Sequence, residues 1–159
     1  MDYATRKKLV FHVGEMRRRS DFDYPILLLE CYSGGVARKL ALCDQEETDR
    51  LATSVAAVSA WIAVNGDQQF EFPGACTLPE FLDRVADEVA KAREKFPSSA
   101  HNLAALIEEK GELVEALMAN GNTGDGHADV LKEATQTAAM AVRIVEEGDA
   151  DYGFAPEPR

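Results

Sequence analysis

Residues 24–43 read Tyr24-Pro25-Ile26-Leu27-Leu28-Leu29-Glu30-Cys31-Tyr32-Ser33-Gly34-Gly35-Val36-Ala37-Arg38-Lys39-Leu40-Ala41-Leu42-Cys43. The segment Tyr24 to Tyr32 is rich in aliphatic and aromatic side chains. Ser33-Gly34-Gly35 has the composition of a turn. Beyond it Val36, Arg38, Leu40 and Leu42 alternate with Ala37, Lys39, Ala41 and Cys43. Two such runs on either side of a glycine turn predict a β-hairpin. Leu9, Phe11 and Val13 also alternate, so residues 8–16 add a third strand, with a short helix as the alternative. The expected fold class is therefore α+β: a small N-terminal antiparallel β element, either a hairpin or a three-stranded meander, followed by a mostly α-helical bundle of about four helices.

From residue 44 the period becomes helical. Asp44 with Glu47 forms a capping-box pattern. Leu51, Val55, Val58 and Ile62 then recur at helical spacing, and Asn65-Gly66 stops the run. Thr77 with Glu80 is a second capping box, with Pro79 tolerated in the first turn. Leu78, Phe81, Leu82, Val85, Val89, Ala92 and Phe96 form a stripe closed by Pro97. Asn102 caps a third helix running to about Met118. Asn120 to Gly126 reads as a loop, and a fourth helix covers about Ala128 to Glu147, ended by Gly148. The short loop makes the last two helices antiparallel. This gives an N-terminal region of unassigned role over 1–75, a helical domain over 76–148 and a flexible tail over 149–159.

Composition narrows the function. The chain has 159 residues, enough to bury a core without cross-links. Its 46% apolar content excludes a disordered chain. Ile26 to Leu29 is the longest aliphatic run, far short of the roughly 20 residues of a membrane helix. No basic segment followed by a long apolar stretch opens the chain, which predicts no signal peptide. Three cysteines without a C-x-x-C spacing fit neither a disulfide framework nor a zinc site and predict a cytoplasmic protein. The net charge of −11 is uneven: residues 1–44 carry +2, the rest −13. An acidic body argues against nucleic acid as a partner. The basic cluster Arg17-Arg18-Arg19, followed by Asp21 and Asp23, reads as a solvated loop or strand end.

Phosphate-binding glycine loops, H-E-x-x-H and G-x-S-x-G are all absent. A calcium loop starting at Asn120 fails because Leu131 stands where a bidentate Glu is needed. Carboxylates on helices remain. In the third helix, Glu108, Glu109, Glu112 and Glu115 lie off the apolar stripe, and Glu109 and Glu112 are spaced to reach one ion. On spacing alone a solvated acidic face is the plainer reading. The fourth helix is apolar around most of its circumference, and Glu133 falls inside the apolar arc, between Met140 and Ile144. A carboxylate there must be neutral, ion-paired or metal-bound. Lys110 is the candidate ion-pair partner. The width of the arc also predicts a homodimer or higher homo-oligomer.

Two segments, Leu106-Ile107-Glu108-Glu109-Lys110-Gly111-Glu112-Leu113 and Leu131-Lys132-Glu133-Ala134-Thr135-Gln136-Thr137-Ala138-Ala139-Met140-Ala141, resemble the MazG-like all-α nucleoside triphosphate pyrophosphohydrolases, particularly the short phage and bacterial forms. The resemblance covers about residues 80–148. That family carries E-x-x-E on one helix and E-x-x-D on the next. Here these fall on Glu109 and Glu112, then on Glu133 and Gln136, so the fourth position is an amide. The resemblance implies release of pyrophosphate from an NTP or dNTP by water attack at the α-phosphorus, with Mg²⁺ or Mn²⁺ as cofactor. It implies Glu109, Glu112, Glu133 and Gln136 as metal ligands. Glu108 is an extra ligand or the general base, and His101 and Asn102 are placed to face the nucleotide. The alternative is a non-catalytic bundle that binds nucleotide or mediates dimerisation.

Overall fold

In the computed structural model, which describes residues 1–18, 24–120 and 126–154, the segment 24–43 is not a hairpin. Pro25–Ala41 is one helix, α2. Its buried residues Ile26, Leu29, Ser33, Val36 and Leu40 recur at alternating steps of three and four, the spacing that keeps one helix face inward. Pro25 occupies the first turn, where its missing N–H has no helical partner to lose. Ser33 turns its hydroxyl back on the Glu30 carbonyl at 3.2 Å. Gly35 is a point of close approach and not a turn: a Cβ there would lie 3.1 Å from Leu51 Cδ1 of the next helix. The alternation over 36–43 reflects Val36 and Leu40 facing in while Arg38 and Leu42 face solvent.

Residues 8–16 follow the helical alternative. They lie within α1, Tyr3–Arg18, which buries Thr5, Leu9, Val13 and Met16 and leaves Phe11 in solvent. The α+β class is thus corrected to all-α. Among the described residues six α-helices follow one another: α1, α2, α3 (Gln45–Asn65), α4 (Leu78–Lys95), α5 (Asn102–Asn120) and α6 (His127–Glu147), then a 3₁₀ turn at Ala150–Tyr152. Among the described residues the only β pairing is two isolated bridges, Asp67 with Phe72 and Asp149 with Phe154. No helix among them is long and apolar enough to cross a membrane. Part of the arginine cluster (Arg19, with Asp21 and Asp23), residues 121–125 of the expected loop and the end of the expected tail, 155–159, lie outside the described residues.

Local chemistry sets the boundaries. The Asp44 carboxylate accepts from the Glu47 N–H and pairs with Lys39, fixing the end of α2 to the start of α3. Gly66 ends α3 at φ 87°, where a Cβ would lie 1.9 Å from the Phe72 carbonyl oxygen. Glu80 accepts from both the N–H and the hydroxyl of Thr77 at the start of α4. The run 51–60 of α3 is buried throughout and rich in Ala, Ser and Thr, small enough for α2 and α6 to approach closely.

Helix α6 lies at the centre, packed on α3, α5 and α4. Its wide apolar arc is therefore covered within the chain, and the inference from that arc to a second subunit loses its premise. Leu9, Leu29, Val55, Phe81, Leu113 and Ile144 all belong to one core. Within the expected tail, Asp149 and Phe154 are buried. Asp149 is buried and accepts from the Leu103 N–H at 2.7 Å, so it caps α5 in place of Asn102. The Asn102 side chain instead donates to the Gly148 carbonyl at 2.8 Å. The start of α5 is thereby clipped to the end of α6, and the two helices run antiparallel.

In a strand Leu27 and Leu29 would share a face; in α2 they point apart, with Leu27 60% exposed and Leu29 fully buried. Leu29→Ala should cost about 2–5 kcal/mol in denaturant unfolding. Leu27→Ala should stay within about 0.5 kcal/mol of the parent. Equal losses would contradict the helix.

Candidate metal centre

Helix α5 presents Glu109 and Glu112 one turn apart, and α6 brings Glu133 against them. One carboxylate oxygen from each lies within 4.8 Å of the others. The packing of α6 explains the placement: Leu113, Leu117, Ala134 and Ala138 are buried on the two helices, which carries the adjoining carboxylates to the margin of the core.

The three acids differ in environment. Glu112 is exposed, Glu109 is partly buried, and Glu133 is 7% exposed. Lys132 binds Glu133 Oε1 at 2.6 Å, whereas Lys110 pairs with Glu30, so the expected Lys110–Glu133 ion pair does not form. Glu133 Oε2 and Glu109 Oε2 are both buried without a hydrogen-bond partner. The Glu109 carboxyl is pushed up to about 7, first by burial and then by the negative charges of Glu112, Glu133 and Glu108, with Lys132 acting in the opposite sense. Gln136, one turn beyond Glu133, also has a buried side-chain oxygen with no partner. Buried polar atoms are rarely left unpaired. An all-oxygen set with lone pairs to spare and surplus negative charge fits a hard divalent cation better than zinc or copper.

Beside the carboxylates a cleft of about 620 Å³ opens between α4, α5 and α6. Ala92, Phe96, Ala104, Ala105 and Met140 form its apolar wall, and Glu108, Glu109 and Gln136 its polar end. Glu108 is exposed on this rim. His101 and Asn102 both line the cleft. The buried Asn102 amide is already committed to Gly148. The exposed His101, with φ 68°, gives its N–H and a ring nitrogen to Asp151.

A second cleft of about 350 Å³ shares Glu88, Lys91 and Gln136 with the first and adds Arg84, Asp87, Lys132 and Thr135. Arg84, Lys91 and Lys132 are the basic groups that sequence analysis did not single out. The available signal was the seven-residue step from Arg84 to Lys91, which places both on one face of α4. Other basic residues near these clefts are already engaged: Arg93 is bound to Glu146 and Glu147. Arg143 is buried against the Phe96 and Ser98 carbonyls, and Lys95 sits over the Phe96 ring. No protein-family model matches the chain, and no curated protein or solved structure shows significant similarity to it.

The raised Glu109 value makes a pH prediction. A folded value above the ordinary 4.5 means that the folded chain holds this proton more tightly than the unfolded chain does. That contribution to stability is complete below about pH 4.5 and is lost as pH rises through about 7. In metal-free buffer Glu109→Gln should therefore raise Tm at pH 8 and flatten its fall between those values. The scale is about 2–4 °C per kcal/mol for a chain of this size. Parallel melting curves for the two proteins across this range would contradict the strained cluster.

Proposed function

We propose that the protein is a metal-dependent nucleoside triphosphate pyrophosphohydrolase. The observation that carries this is the convergence of Glu109, Glu112 and Glu133 from two helices, with buried unpartnered oxygens on Glu109 and Glu133, where Glu109 also lines a cleft with an apolar wall. The sequence resemblance to MazG-like enzymes supports the substrate class.

Glu109, Glu112 and Glu133 would hold Mg²⁺ or Mn²⁺, and Gln136 would add a neutral carbonyl oxygen. Such an ion would supply positive charge to offset the phosphate oxygens and would favour deprotonation of water at the site. Phe96 and Met140 offer apolar surface to the base, with His101 at the rim. Glu108, which lines the cleft, would take the proton from an attacking water. Attack at the α-phosphorus breaks its bond to the bridging oxygen and yields a nucleoside monophosphate and pyrophosphate. The free cysteines Cys31, Cys43 and Cys76 accord with a cytoplasmic protein. A homodimer or higher oligomer rests on the resemblance.

A second reading, a non-catalytic nucleotide-binding or interaction bundle, is favoured by one feature: the family's fourth carboxylate is here Gln136, while Lys132 already pairs with Glu133. The Glu133→Gln variant separates the two. For an enzyme it should abolish pyrophosphate release and the metal-dependent rise in Tm, which reflects about 2.7 kcal/mol at an ion concentration one hundred times Kd. Gln136→Asp should tighten Mg²⁺ binding and keep or raise turnover, because hard-cation affinity follows ligand charge. For a non-catalytic bundle Glu133→Gln leaves nucleotide binding unchanged and stabilises the fold by removing a buried charge. Full turnover in Glu133→Gln would end the metal assignment.

A further inference from the structure

Neighbouring residues on a helix do not ordinarily face one another. Lys132 nevertheless folds its side chain over to Glu133, and the two sides of the pair are unequal: 63% of the lysine side chain is exposed against 9% of the glutamate's. A solvent-exposed cation thus reaches a buried carboxylate and satisfies one of its two oxygens. The same lysine lines the second cleft, opposite Arg84 and Lys91 of α4. Glu88, which also lines it, already shares a 3.3 Å ion pair with Lys91. Asp87 lines it too, so its walls carry three cations and two carboxylates; Glu88, Lys91 and Gln136 are shared with the first cleft, which Glu109 lines.

We propose that Lys132 is an exchangeable counter-ion. Without metal its ammonium group neutralises Glu133; when a divalent cation enters the carboxylate cluster it is released into the second cleft, where with Arg84 and Lys91 it binds the polyphosphate end of the ligand. The long flexible stem of lysine permits this change of partner, and a compact ammonium suits phosphate oxygens. A site designed this way keeps its buried carboxylate compensated at every stage, first by lysine and then by metal. The inference builds on the metal and nucleotide reading above and adds the place where the phosphates lie.

Full-length parent, Lys132→Met, Lys132→Arg, Arg84→Met and Glu133→Gln proteins are titrated calorimetrically with Mn²⁺ alone and with inorganic pyrophosphate in Mn²⁺, each first shown to melt cooperatively. Lys132→Met should bind Mn²⁺ about fivefold more tightly, the order set by removing a partly exposed ion pair as competitor. It should bind pyrophosphate several-fold more weakly. These opposite shifts from one substitution distinguish the exchange from general damage to the fold, which weakens both. Lys132→Arg should restore pyrophosphate binding, and Arg84→Met should weaken pyrophosphate without altering Mn²⁺ affinity. If Glu133→Gln loses Mn²⁺ while Lys132→Met binds it no more tightly than the parent, or if Lys132→Met binds pyrophosphate as the parent does, the counter-ion role is overturned and the metal centre stands. If the parent takes up no Mn²⁺, or Glu133→Gln binds it unchanged, the metal reading itself is overturned.

Discussion

Helix α6 is enclosed by α3, α4 and α5, and each polar side chain it carries into that enclosure must be satisfied there. Most are. Thr135 and Thr137 donate to the Leu131 and Glu133 carbonyls one turn back. Arg143 spends its guanidinium on the Phe96 and Ser98 carbonyls and on Glu147, so it ties the turn after α4 to the central helix. Glu133 and Gln136 are the exceptions: Glu133 has one oxygen on a lysine and the other unanswered, and the Gln136 side-chain oxygen has no partner. The candidate centre is thus the residue of a packing problem that the rest of α6 has solved. Its chemistry comes from what the fold leaves unpaired as much as from which residues it gathers.

The caps of α3 and α4 and the Glu109–Glu112 pair were legible in the sequence for the same reason: both depend on separations of three or four residues within a helix. Asp44 does receive the Glu47 N–H, Thr77 does bind Glu80, and Glu109 and Glu112 do stand one turn apart. The error over 24–43 arose where that signal is degenerate. Leu27 and Leu28 sit between Ile26 and Leu29, so apolar character is continuous and no period stands out. Ser33-Gly34-Gly35 suits a turn by composition, yet in the helix Gly35 lies close against the Leu51 side chain, where a Cβ would come within 3.1 Å of Cδ1. A glycine placed for a neighbour in space cannot be told from a glycine placed for backbone freedom until the neighbour is known.

Long-range partners were illegible for a related reason. The link from Lys110 to Glu30 spans 80 positions, and that from Asp149 to Leu103 spans 46. Lys132 escaped notice differently, since adjacent helical residues are not expected to meet. The arc of α6 was read correctly as buried, but its cover came from α3, a helix from the part of the chain without a resemblance.

The clip between the two ends of the helical hairpin fixes more than a boundary. Asn102 and Leu103 hold Gly148 and Asp149 through two bonds of 2.8 and 2.7 Å. Glu133 lies fifteen positions upstream of Gly148, about 22 Å along the helix axis. Because each residue advances a helix by about 100°, that clip sets the rotational phase at which Glu133 meets Glu109 and Glu112. One alanine inserted between Glu133 and Gly148 would leave the charge unchanged and add only a single methyl side chain. It would turn the carboxylate by more than a quarter of a circle and disperse the cluster, so the spacing across this stretch of α6 is as much a part of the centre as the acids themselves.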